Sequence, residues 1–419
     1  MASKHFILPV AALVIGGMLL GGRQKRISDL RAGSAELRVR IAEAREGGGG
    51  DGFSSPKARA NRLSADKQPI DWKKLAEEIR ASRQEDGIGQ MRKMMGLQKR
   101  LLAMDARELV AALDQIAALD VDDETRMELE AMIVDPLLKK DPELTLARFK
   151  HRLNGERGMM AWHLSEALGR LAEKDLGAAM SWMAMEISAG TFDAKSLDGR
   201  NPARMQFESK LLSRMIKVDP SIAASRLSGM DLAMRKEALE AVRADQFSPQ
   251  EQLAHADLIR SQLNPGDQMA VFSGRAANLA RGKGFTEVDS YLERIAATPE
   301  ERKQSVDAAA SGFLNGKRWD GGIKEADIDA MREWAKKSAP EAVDRLTGQG
   351  VGDALNQDKG MDFPAASALA LRYAAADGGD DVLVGFLEKV RSTHHGEARE
   401  LAARISDPKR REEMLERFK

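Results

Sequence analysis

Beyond residue 70 the apolar positions recur at the spacing of a helix. Four segments fill the pattern i, i+3, i+4, i+7 without a miss: Leu109/Ala112/Leu113/Ile116, Leu164/Ala167/Leu168/Leu171, Val288/Tyr291/Leu292/Ile295 and Leu383/Phe386/Leu387/Val390. Residues three and four apart share one face of a helix, so each stripe predicts an amphipathic helix with one side buried. No segment after residue 70 alternates polar residues with β-branched or aromatic ones, and no strand is predicted. The fold class read from this pattern is all-α.

The helices are punctuated by caps. Asp141-Pro142, Asp175-Leu176, Asp219-Pro220, Ser248-Pro249, Asn264-Pro265, Thr298-Pro299, Ala339-Pro340 and Asp377-Gly378 read as helix starts. An Asp, Asn, Ser or Thr side chain accepts a bond from a free backbone N–H, and proline fits the first turn, where its missing donor costs nothing. Several starts follow directly on a finished helix, as at Asp175 and Asp219, which predicts antiparallel helical hairpins. Leaving Ser248 aside, these starts lie 34, 44, 45, 34, 41 and 38 residues apart, an interval typical of helical-hairpin solenoids. The second helices share small residues ahead of a large one: Ala178-Ala179 before Trp182, Ala223-Ala224 before Leu227, Ala342 before Leu346. The expected architecture is an α-solenoid of degenerate hairpins over 141–419, after an N-terminal helical module over 70–140. The alternative is an irregular helical bundle. In the module, Met94, Leu97, Leu101 and Met104 form a stripe expected to pack into a core, and Asp105 caps the next helix.

The amino-terminal part reads differently. Residues 6–22 are an uncharged apolar run of 17 residues, roughly 26 Å as a helix and just enough to span a bilayer core. With Leu20 where a cleavage site wants a small residue, residues 1–22 are expected to be an uncleaved transmembrane anchor, a cleaved signal being the alternative. Residues 23–46 form a charged stalk. In it Ile27, Leu30, Ser34, Leu37, Ile41 and Ala44 are spaced 3-4-3-4-3, a coiled-coil seam through which a homodimer would form over 27–44; a lone charged helix is the alternative. Four consecutive glycines, Gly47–Gly50, open a linker rich in Gly, Ser and Pro over 47–69.

Composition narrows the function classes. The 419 residues carry 65 Lys+Arg and 65 Asp+Glu, a neutral total unlike that of a dedicated nucleic-acid binder, so no specific nucleic-acid partner is expected. Charge is divided unevenly: residues 1–100 hold 20 basic and 11 acidic side chains, leaving 45 and 54 to residues 101–419. Arg23, Lys25, Arg26 and Arg31 follow the apolar run. The positive-inside rule then expects a single-pass inner-membrane protein with its C-terminal domain leaning to the cytoplasm, a periplasmic or exported location being the alternative. The absence of cysteine removes disulfide scaffolds, thiolate metal sites and cysteine nucleophiles.

The stretch Ser165–Asp175, followed by Ala178-Ala-Met-Ser-Trp182, resembles the repeats of uncharacterised bacterial membrane-anchored or exported helical-repeat proteins, a degenerate TPR/HEAT-like group. Thr191–Pro202 and Arg204–Phe207 resemble that group as well. The resemblance implies an α-solenoid and no activity.

Chemical motifs are sparse. The six histidines form no His-Glu-x-x-His motif, there is no Gly-Lys-Ser/Thr phosphate loop, and no Gly-x-Ser-x-Gly elbow. No catalytic residue, metal ligand or cofactor is assigned; His163 with Glu166 is read as a helical hydrogen bond or ion pair, and His394-His395 as a helix start. Two loops are the candidate protein-binding surface: Lys195 and Arg200 in the first, Arg318 and Trp319 in the second. Trp319 is expected to fold back over the helix ends, and Trp162, Trp182 and Trp334 to lie in the core. The expectation is a non-enzymatic, membrane-anchored scaffold for protein partners. A cell-envelope ligand- or glycan-binding module, or an enzyme whose site no motif betrays, is the alternative.

Overall fold

The predicted stripes are where the core forms. All sixteen residues of the four templates are buried in the computed structural model of the chain. It describes residues 69–82, 88–153, 159–193, 201–357 and 360–419. Twenty α-helices stand among them, with no strand. In chain order they are α1 (Trp72–Ser82), α2 (Ile88–Ala103), α3 (Ala106–Ala117), α4 (Asp123–Lys140), α5 (Pro142–Phe149), α6 (Met159–Lys174) and α7 (Leu176–Ser188). Then come α8 (Pro202–Val218), α9 (Pro220–Ser228), α10 (Leu232–Ala241), α11 (Pro249–Gln262), α12 (Pro265–Lys283), α13 (Phe285–Arg294) and α14 (Pro299–Arg318). The last six are α15 (Glu325–Ser338), α16 (Val343–Leu355), α17 (Phe363–Tyr373), α18 (Gly379–Leu387), α19 (His395–Ala402) and α20 (Pro408–Arg417).

Caps set these boundaries. Asp141, Asp175, Asp219 and Asn264 each accept a backbone N–H from the first turn of the helix that follows. Asp105, Ser248 and Thr298 go further and form reciprocal capping boxes with Glu108, Glu251 and Glu301. Asp377-Gly378 differs from expectation: residues 374–378 make a π-helical turn running into α18, whose own first turn carries Asp380. The Asp380 carboxylate instead accepts the backbone N–H groups of Ser406 and Asp407, tying α18 to the start of α20.

Trp72–Lys419 is one compact unit, and its packing follows a rule. The principal partners of every helix lie within three helices along the chain. The even-numbered helices touch in unbroken succession, α2 on α4, α4 on α6 and so on to α18 on α20, while most odd-numbered ones pack against their chain neighbours. Two even pairs meet most intimately, α12 with α14 and α16 with α18. Glycine makes that possible. A Cβ on Gly312 would lie 2.3 Å from the Ala277 carbonyl oxygen, one on Gly348 2.0 Å from that of Val382, and one on Gly385 2.4 Å from that of Arg345. Two side-chain bonds span nearly the same stretch of chain, 45 and 44 residues: Trp334 Nε1 donates to Asp289 at 3.0 Å, and Tyr373 Oη to Asp329 at 2.6 Å.

Buried charge is paired. Glu208 is 1 % exposed and is held by Arg226 through two bonds, Nε at 2.5 Å and Nη2 at 2.8 Å. Glu301 receives Arg260 in the same bidentate manner, at 2.9 and 2.8 Å. His255 is the buried exception without a carboxylate; its Nε2 lies 3.2 Å from the Leu239 carbonyl. Burial, reinforced by the Arg275 charge, pushes its pKa from the ordinary 6.5 down to about 3, against the opposing pull of that carbonyl. The folded state therefore keeps His255 neutral, and unfolding takes up a proton below pH 6.5. Stability is whole above that pH and falls as pH drops towards 3, by up to about 1.4 kcal/mol per unit. His255→Gln should flatten this window in denaturation series at graded pH; an unchanged slope would place the proton uptake elsewhere.

The single-pass inner-membrane assignment is corrected. Among the described residues no helix is long and apolar enough to cross a membrane. The longest, α14, begins Pro299-Glu-Glu-Arg-Lys303 and ends Lys317-Arg318, charge that a bilayer core would not accept. The run 6–22, the stalk 23–46 with its seam over 27–44, and all of the linker 47–69 except residue 69 lie outside the described residues.

Candidate functional site

Helices α6 and α8 present matching faces to one groove. From α6 come Trp162, Ser165, Glu166, Gly169, Arg170 and Glu173; from α8 come Gln206, Ser209, Lys210, Ser213, Arg214 and Lys217. Both sets are spaced i, i+3, i+4, i+7, i+8, i+11, and each member of the second lies 44 residues after its counterpart in the first. Serine answers serine (Ser165, Ser209) and arginine answers arginine (Arg170, Arg214). The same 44 residues separate the caps Asp175 and Asp219. Ala241 at the end of α10, with Arg243 and Gln246 just after it, closes the third side. The groove encloses about 450 Å³, within the range of roughly 300–1,000 Å³ in which ligand sites fall.

The lining is cationic. Arg170, Lys210, Arg214, Lys217 and Arg243 face Glu166 and Glu173, an excess of three positive charges in a region, residues 101–419, that carries an excess of nine negative ones. Lys210 is paired with Glu166 across the two helices. The Lys217 ammonium sits 5.5 Å from the centre of the Phe247 ring. Arg214 Nη2 reaches only the Glu173 carbonyl oxygen, at 3.5 Å, and its Nε is buried with no hydrogen-bond partner among the described residues. The three serines bond back to carbonyls of their own helices, leaving hydroxyl oxygens able to accept.

Trp162 stands at the end of this face, 48 % exposed, which corrects its placement in the core. Ala161 and Leu164 lie on the buried stripe of α6, and two residues along a helix is about 200°, so Trp162 points away from Leu164. Its ring contacts His163 edge-on, centroids 4.8 Å apart. Burial lowers the His163 pKa, with Asp135 and Glu166 pulling the other way. Trp182 and Trp334, at 8 % exposure each, are core residues as expected.

The residues singled out in the sequence lie elsewhere. Lys195 and Arg200 fall outside the described residues. Trp319 is 91 % exposed, which overturns the expectation that it folds back. It caps the end of α14, and the chain turns away immediately after it at Gly321 and Gly322, both at positive φ. Arg318 is drawn to Asp353, 3.9 Å away, and neither residue lines the groove. His394 stacks on Phe363 and lies 3.8 Å from Glu397; among the described residues no three His, Asp or Glu side chains converge as metal ligands.

The signal that would have found the groove was already in the capping interval. Sliding the chain against itself by 44 residues superposes Ser165 on Ser209 and Arg170 on Arg214. A search of protein families, curated proteins and solved structures finds no match to this chain.

Proposed function

We propose that Trp72–Lys419 is an α-solenoid and that the protein is a non-enzymatic scaffold binding another protein along its even-numbered helices. The observation that carries the reading is the groove itself: two consecutive even helices line one open face from equivalent positions, with serine and arginine shared at two of the six. The unbroken contact of even helices supports a continuous inner surface, and repeat arrays use such surfaces for extended partners. Aromatic and arginine side chains, here Trp162, Arg170 and Arg214, are the types that dominate protein interfaces. The groove's volume alone favours a second reading, a module or enzyme taking a small ligand or glycan.

Photo-crosslinking residues placed at Gln206 and Ser213 of the full chain, in its native cells, separate the two. The scaffold reading expects discrete protein adducts there and none from a matched probe at Met185, an exposed position on α7. Adduct-free groove probes, together with a ligand-dependent rise in melting temperature across a glycan and metabolite panel, would decide for the second reading.

A further inference from the structure

Several arginines elsewhere in the array are tied down by carboxylates, while others, such as Arg107, Arg281 and Arg302, stand singly without one among the described residues. Arg226 meets Glu208, Arg260 meets Glu301, Arg294 meets Glu287, Arg332 meets Asp344 and Arg345 meets Asp307. The groove gathers cations without such partners on one lining: among the described residues Arg170, Arg214, Lys217 and Arg243 have no carboxylate within ion-pair distance, although acidic side chains outnumber basic ones in this part of the chain. Holding four cations together unpaired is unfavourable, and a buried guanidinium nitrogen such as Arg214 Nε is costly without an acceptor. An anionic guest relieves both.

We infer that the groove binds an extended acidic segment of a partner protein, its carboxylates on Arg170, Arg214, Lys217 and Arg243 and an apolar side chain against Trp162. The inference rests on the scaffold reading and gives it a ligand chemistry. Guanidinium forks bind carboxylates bidentately, and bonds of that charge-assisted kind are the strong ones. The face from Trp162 to Glu173 runs eleven residue steps along the helix, roughly 16 Å, which about five residues of extended chain would span. A nucleic acid also offers anions but fits less well. Its charges continue every few ångströms past the groove, and the surrounding array repels them. A short acidic stretch ends where the cations end.

The test is fluorescence anisotropy on the full chain, using rhodamine-labelled Gly-Asp-Glu-Leu-Asp-Glu-Gly and its neutral counterpart Gly-Asn-Gln-Leu-Asn-Gln-Gly. The acidic peptide should bind at least tenfold more tightly than the neutral one. Its affinity should weaken severalfold between about 50 and 300 mM salt, as exposed charges are screened. Arg170→Gln with Arg214→Gln should cost at least tenfold, and Lys283→Gln, an exposed cation on α12, nothing. Should that double variant fail to fold, Lys217→Gln with Arg243→Gln, both exposed, carries the same expectation. Equal binding of the two peptides, or tighter binding of oligo-dT or inorganic phosphate than of the acidic peptide, would overturn the inference. If the Gln206 probe captures a partner that the acidic peptide cannot displace, the charge assignment fails and the scaffold reading stands.

Discussion

Gly348→Ala should destabilise the protein by about 3 kcal/mol, although alanine is the better helix former. In an exposed helix the exchange gains up to about 1 kcal/mol. At residue 348 the new Cβ would stand 2.0 Å from the Val382 carbonyl oxygen and 2.7 Å from the Phe386 nitrogen. Both atoms belong to the backbone of α18, so no rotamer change relieves the contact and the two helices must separate. Overpacking that forces backbone shifts costs about 1–3 kcal/mol and occasionally more, and this contact is backbone on both sides, which places it at the upper end. Gly274→Ala is the matched control: it lies inside α12 with nothing within 4 Å of the added atom, and it should raise stability slightly. Urea denaturation of the two variants checks the pair. A midpoint for Gly348→Ala at or above that of the parent would mean that α16 and α18 do not approach this closely.

The second large effect is expected at Glu208. Glu208→Ala removes both acceptors of the Arg226 guanidinium and leaves Arg204, 3.9 Å from the same carboxylate, without it as well. Breaking a buried pair by deleting one partner costs about 3–5 kcal/mol, because the remaining charge stays desolvated. Arg226 keeps 16 % of its side chain in solvent and can turn partly outward, so the loss should sit near the lower figure. Replacing the pair together, Glu208→Leu with Arg226→Met, should recover most of it. The double-mutant cycle checks the claim: if the single and double variants lose equal stability, the pair is not what holds α8 to α9.

How far the chain declares itself differs between core and site. The helices were legible because burial imposes a period. Leu164, Ala167, Leu168 and Leu171 could not all be buried on anything but a helix of this phase, and caps such as Asp175 and Asp219 mark the ends chemically. The succession of the caps was legible only in part. Asp141, Asp175 and Asp219 open the odd helices α5, α7 and α9, whereas Asn264 and Thr298 open the even helices α12 and α14. The short α10 with its 3₁₀ turn at Ala244–Gln246 accounts for the change of phase, and a roughly constant interval between caps conceals it. The groove was not legible at all from apolar periodicity, since its residues are the polar ones that such a pattern discards. Trp162 was misplaced for the reason that its helical phase was read from its type, not from its angle to Leu164. Trp319 was misplaced because large aromatic residues are usually buried, and nothing local to it contradicts that tendency.

The rule that a helix finds its principal partners within three helices has a consequence for how the protein is made. A strand order that joins distant segments leaves apolar surface waiting until the last of them is synthesised. Here α6 can cover its buried stripe as soon as α7 and α8 have left the ribosome, and each later helix does the same for those before it. At ordinary elongation rates of roughly 5–20 residues per second the wait is a matter of seconds. Unfinished chains of this protein would therefore carry a finished amino-terminal portion and a single raw end, and only that end calls for protection by a chaperone.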